Sequence, residues 1–138
     1  MTKYVDKDLK VNFKNSIPIC YSYSRNRKIG ILGGSFNPAH IGHIHITNTA
    51  LINLGLDEIW WLVAPQNRLK SSLDMENFDK RLSYARLLTK NISYIKVLDL
   101  EKKNQLYATY KTVNFLKQRT RKVKFIWLMG SDILDNLN

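Results

Sequence analysis

The chain has 138 residues, 44% of them hydrophobic, enough for one packed domain and too many for a disordered chain. Its longest apolar runs, 59–65 and 125–129, fall far short of the ~18 residues a membrane span needs, and a single cysteine, Cys20, excludes an intrachain disulfide framework and a Cys-based metal site. Twenty-two Lys and Arg against eleven Asp and Glu leave a net charge of +11, which favours anionic partners: nucleotides, nucleic acid or anionic lipid.

Residues 1–27 read as a basic N-terminal extension, with six cationic residues against Asp6 and Asp8 and no sustained apolar period. They contain no apolar core of the signal-peptide kind, so a reducing cytoplasmic setting is expected. From Lys28 the pattern alternates. Residues 28–32 form a short apolar run, hence a buried strand, and Gly33-Gly34 predicts a tight turn after it. Residues 42–54 predict a helix with Ile44, Thr47, Leu51 and Leu54 on one stripe and Gly55 just past its end. Residues 58–63, rich in Trp and β-branched side chains, predict a second strand stopped at Ala64-Pro65. A polar loop, 64–75, leads to a helix over 76–89 with Phe78, Leu82, Ala85 and Leu88 aligned. Residues 94–100 predict a third strand, 105–118 a helix with Leu106, Thr109, Val113 and Leu116 on one face, and 123–129 a fourth strand. Gly130-Ser131-Asp132 then opens another helix.

This alternation implies an α/β fold of the Rossmann-like doubly wound kind, a parallel sheet with helices on both faces and right-handed crossovers. Ligands in such sheets bind beyond the carboxyl ends of the strands, at the switch point. Residues 33–43, 64–70 and 130–132 should therefore surround one crevice. Within it the run Gly33-Gly34-Ser35-Phe36-Asn37-Pro38-Ala39-His40-Ile41-Gly42-His43 carries the chemistry. Gly33 and Gly34 leave no Cβ between main-chain amides and a phosphate, Ser35 adds a hydroxyl donor, and Pro38 stiffens the loop. His40 and His43 bracket a helix start, where free N–H groups and the positive dipole end attract anions. Two imidazoles there can donate to phosphate oxygens, and a nearby phosphate would favour their charged form. Gly42 keeps the helix start clear for close approach. The run is neither a P-loop nor the G-x-G-x-x-G dinucleotide fingerprint.

The same eleven residues resemble the signature of the (H/T)xGH nucleotidyltransferase superfamily, and most of all the GG(S/T)F(D/N)PxHxGH pattern of the bacterial nicotinate-mononucleotide adenylyltransferase family. Further stretches agree in order across residues 28–138. Residues 55–63 resemble that family's second strand, and 65–70 its active-site loop, with Arg68 where proline is usual. Residues 81–85 resemble its R-x-x-x-A helix. Residues 107–113 are a worn SYTxDTL segment that keeps Thr109 and Thr112 but has Lys111 in place of an acidic or polar residue, and 125–132 resemble F-x-x-G-(A/S)-D. The resemblance implies adenylyl transfer from ATP to nicotinate mononucleotide, in line and without a covalent intermediate, yielding nicotinate adenine dinucleotide and pyrophosphate. It implies that His40 and His43 hold phosphates through the transition state. Gly33, Gly34, Ser35, Phe36, Gly42, Gly130 and Ser131 would line the nucleotide cleft, with Asp132 accepting ribose hydroxyls. Thr109 and Thr112 would stand by the pyridine end, Lys70 would meet phosphates from its loop, and Mg²⁺ would arrive with ATP.

The family continues past the point reached here. On that comparison residues 28–138 are an incomplete nucleotidyltransferase domain, without a fifth strand and without an ISSTxIR-like helix start. Arg119, Arg121, Lys122 and Lys124 precede the fourth strand, at the opposite end of the sheet, and cannot substitute. In a 3-2-1-4-5 sheet without its fifth strand, the fourth becomes an exposed apolar edge, and self-association through it is expected. Two other readings remain: another (H/T)xGH enzyme such as a pantetheine-phosphate adenylyltransferase, or an inactive remnant that binds nucleotides or nucleic acid. A class I aminoacyl-tRNA synthetase shares the literal His-Ile-Gly-His, but no KMSKS-type loop follows. Nucleic acid is the less favoured partner, since no strand interleaves aromatic and basic residues.

Overall fold

The computed structural model describes residues 27–65, 75–119 and 123–128. Four strands form one parallel sheet in the order β3-β2-β1-β4: β1 (Arg27–Gly34), β2 (Glu58–Val63), β3 (Ile95–Leu98) and β4 (Val123–Leu128). Helices α1 (Ile41–Leu54), α2 (Phe78–Leu88), α3 (Leu100–Lys103) and α4 (Thr109–Arg119) lie between them in sequence. This is the Rossmann-like order expected, and it puts the switch point between β1 and β4. The expected extension over 1–27 lies, apart from Arg27, outside the described residues.

The two faces of the sheet are read directly from strand alternation. Leu32 of β1 and Ile59, Trp61 and Val63 of β2 pack with Phe78, Leu82 and Ala85 of α2, and Ile44 and Leu51 of α1 close over them. Ile29 and Ile31 of β1 and Trp60 and Leu62 of β2 point the other way, into Leu100, Leu106, Phe115 and Leu116 from α3 and α4. A central strand buried on both faces reads as a continuous apolar run, which is why all six residues of β2 are buried. Gly30 is required by this packing: a Cβ there would stand 2.8 Å from Leu56 Cδ1 and 3.1 Å from Ile59 Cγ1. Among the described strands, β4 lies at the sheet edge and is mostly half-buried.

Several boundaries differ from expectation for identifiable reasons. β3 ends at Leu98, because Asp99 leaves the extended region and Leu100 enters a short helix that delivers its fully buried side chain to the α4 face. α4 begins at Thr109 rather than 105. Gln105 has φ 55°, and the Leu106 N–H returns to the Glu101 carbonyl, which closes α3 off from α4. The buried face of α4 is accordingly Thr112, Phe115 and Leu116, while Thr109 is exposed. α2 begins at Phe78 because the Asn77 side chain caps it, accepting the Lys80 N–H at 2.8 Å. On α1, Leu54 is exposed rather than part of the stripe, whereas Gly55 takes the expected left-handed cap at φ 61°.

Candidate active site

Gly33 and Gly34 are the last residues of β1, and neither has a positive φ. The expected tight turn at the glycines is therefore absent. The chain turns instead at Asn37-Pro38, just after Phe36, which sits in the left-handed region at φ 48°. That conformation costs an aromatic residue about 1–2 kcal/mol, offset by full burial of the ring. Phe36 is 1% exposed, stacks on Trp61 at 4.9 Å between centroids, and tilts against the His43 ring at 4.7 Å. The Phe36 side chain is thus the floor beneath His43 rather than a wall of the cleft, as the sequence had it.

The two histidines form the N-terminal cap of α1. His40 is the N-cap residue, and its Nδ1 accepts the Gly42 N–H at 3.0 Å. His43, three residues on, returns the favour: its Nδ1 accepts the His40 N–H at 3.0 Å. This is a capping box with imidazoles in place of the usual hydroxyl and carboxylate. An Nδ1 that accepts carries no proton, so a neutral ring in this arrangement holds its proton on Nε2. The ring centroids are 4.0 Å apart. The helix end therefore carries two adjacent imidazoles, with no acidic residue in the first turn to compete with an anion.

Gly42 has its explanation in the same box. A Cβ there would lie 2.7 Å from His40 Cε1 and 2.8 Å from Nδ1. The space it clears is for the His40 imidazole. The first turn of α1 is also tied to the sheet, since Trp61 Nε1 donates to Thr47 Oγ1 at 2.9 Å and that hydroxyl donates to the His43 carbonyl at 2.8 Å.

Beside this cap the loop after β1 meets the loop after β2. The Ala64 N–H donates to the Gly34 carbonyl at 2.8 Å, and the Glu76 N–H donates to Asn37 Oδ1 at 3.0 Å. Arg81, 2% exposed, reaches from α2 into the junction. Its Nη1 donates to the Ser35 carbonyl at 2.6 Å and the Ala64 carbonyl at 2.8 Å, its Nη2 to the Pro65 carbonyl at 2.8 Å, and its Nε to the Glu76 carbonyl at 2.8 Å. Burial lowers the pKa of this guanidinium from its ordinary value.

Comparison with known proteins agrees with this architecture. Residues 31–138 match the model of the cytidylyltransferase-like family. The chain belongs to that family. A protein of Parvibaculum lavamentivorans named "Probable nicotinate-nucleotide adenylyltransferase" is 47% identical over 110 residues, covering 80% of this chain and 54% of that protein. One of the same name from Gluconobacter oxydans is 45% identical over 111 residues, covering 80% and 56%. The chain thus spans about half the length of the curated relatives it matches. The fold is shared with Plasmodium falciparum nicotinic acid mononucleotide adenylyltransferase complexed with NaAD, at TM-score 0.68 and 24% identity over 80% of this chain and 55% of that one.

Within this cytidylyltransferase-like domain the structure brings together Gly33, Gly34, Ser35, Phe36, His40, Gly42 and His43. Lys70, Gly130, Ser131 and Asp132 lie outside the described residues. Thr109 is exposed at the start of α4. Thr112 is fully buried, and its hydroxyl donates to Glu101 Oε2 at 2.9 Å, so in this conformation it braces α4 against α3. Burial pushes the Glu101 carboxyl up, and the Thr112 hydrogen bond lowers it by less. Sequence reasoning passed over Arg81 except as part of a resemblance. The available signal was an arginine one residue before Leu82 on an apolar helix face, since a buried cation needs a dedicated set of acceptors.

Proposed function

We propose that this chain carries the nucleotide-binding and transfer site of a nicotinate-nucleotide adenylyltransferase, an enzyme of NAD biosynthesis. The observation that carries the reading is the paired-imidazole cap at the switch point of the sheet: two adjacent imidazoles, each held through its Nδ1, at the positive end of a helix. The names of the relatives select the substrates. The phosphate of nicotinate mononucleotide attacks the α-phosphorus of ATP in line, a P–O bond forms, and pyrophosphate leaves. Such a reaction needs positioning and neutralisation of charge rather than a covalent intermediate. His40 and His43 donate to phosphate oxygens and hold them as charge builds. The main chain at Gly33, Gly34 and Ser35 lines the nucleotide cleft beside them. Thr109 stands toward the pyridine end, with Thr112 supporting the same helix from within. Lys70 meets phosphates, and Gly130, Ser131 and Asp132 meet the nucleotide from beyond β4, with Asp132 on the ribose. Mg²⁺ comes with ATP, held by phosphates and water.

The test incubates the chain with ATP and Mg²⁺ and, in turn, nicotinate mononucleotide, nicotinamide mononucleotide and phosphopantetheine, and measures pyrophosphate. Turnover is expected with nicotinate mononucleotide. His43→Ala should lower it by about 10²–10³-fold, the loss seen when one preorganised donor is removed from a developing oxyanion. Pyrophosphate formation untouched in His43→Ala, or no turnover by the parent chain with any acceptor, would defeat the reading.

A further inference from the structure

We infer that Arg81 is a positioning residue of this site, a clasp whose guanidinium sets the distance between the loop after β1 and the loop after β2. The inference deepens the reading above and rests on it for the identity of the ligand, but the geometry stands by itself. Four N–H donors of one side chain end on four main-chain carbonyls: Ser35 just after β1, Ala64 and Pro65 just after β2, and Glu76 just before α2. Pro65 and Glu76 flank the loop that carries Lys70. The same guanidinium therefore anchors both ends of that loop and ties them to the signature loop.

The choice of side chain is informative. Four carbonyl acceptors shared among Nε, Nη1 and Nη2 suit a guanidinium fork, whereas a lysine would offer three donors from a single point. Burying a cation is costly, and no carboxylate lies within ion-pair distance of Arg81 among the described residues. A staple serving stability alone would be better made from apolar packing. What the cation adds is a rigid link among three backbone segments.

The experiment compares the parent chain with Arg81→Lys and Arg81→Gln by amide hydrogen exchange and by titration with nicotinate mononucleotide and with Mg²⁺–ATP. If Arg81 is the clasp, exchange at Ala64 and Glu76 rises by about tenfold or more in both variants, while Trp60, Trp61 and Leu62 in the sheet keep their protection. Nucleotide affinity falls by about tenfold to a hundredfold in both, since retaining the charge in Arg81→Lys does not restore the fork. Parent-like exchange and affinity in Arg81→Lys overturn the proposal. Protection lost equally across the sheet also overturns it, because Arg81 would then serve the whole core. If the parent chain itself binds neither nucleotide, the adenylyltransferase reading fails, and the exchange pattern alone decides for or against the clasp.

Discussion

Gly42→Ala separates the chemistry of the helix cap from the stability of the fold. The added Cβ would come within 2.7 Å of His40 Cε1, about 0.7 Å inside the 3.4 Å at which ordinary contact begins. The imidazole must retreat by about that much. Its Nδ1 already stands 3.0 Å from the Gly42 nitrogen, so the retreat takes it out of hydrogen-bonding range. Losing the cap costs about 1 kcal/mol, and replacing glycine by alanine in a helix returns up to about 1 kcal/mol. The two nearly cancel, so Tm should move by no more than roughly 3 °C. If His40 positions phosphate as proposed, transfer has no such compensation: a displacement approaching 1 Å costs on the order of 10²-fold in rate. The assay pairs a thermal melt with pyrophosphate release at saturating ATP and nicotinate mononucleotide. A variant that melts like its parent and turns over within twofold of it would refute the argument, because His40 would then not need the space.

Two further outcomes follow from the packing and from the raised carboxyl of Glu101. Gly30→Ala places a methyl 2.8 Å from Leu56 Cδ1 and 3.1 Å from Ile59 Cγ1, in the packed side-chain layer on one face of the sheet. It should destabilise by about 1–3 kcal/mol in denaturant unfolding, and an unchanged midpoint would mean that the neighbours give way freely. Burial raises the Glu101 carboxyl above its ordinary value, against a smaller lowering by Thr112, so the folded state holds that proton more tightly than the unfolded chain does. The stability it contributes is present below about pH 4.5 and fades as pH rises through the raised value. Glu101→Gln keeps an acceptor for Thr112 and removes the ionisation. Its Tm should gain on the parent as pH is raised from about 4.5 to 7, and a difference flat across that range would show that burial of Glu101 carries no such cost.

Much of this protein was written in local pattern. The double-sided apolar run of β2, the glycine cap of α1 and the strand–helix alternation determine a doubly wound sheet, because each is a short-range response to burial or backbone freedom. The eleven residues from Gly33 to His43 pointed to a candidate anion site for the same reason: they are contiguous, and a helix end needs no distant partner to attract an anion. What the sequence could not say is which atoms are left free to act. Gly42 was read as room for a ligand and is room for His40. Phe36 was read as cleft lining and is the floor under His43. Thr112 was read as a ligand contact and is spent on Glu101. Arg81 stood in plain view without a role, since its four acceptors come from positions 35, 64, 65 and 76. Pattern reports which faces must be buried. Only tertiary contact decides which donors and acceptors those faces use up, because a hydrogen bond depends on the position of a partner that the neighbouring sequence does not contain.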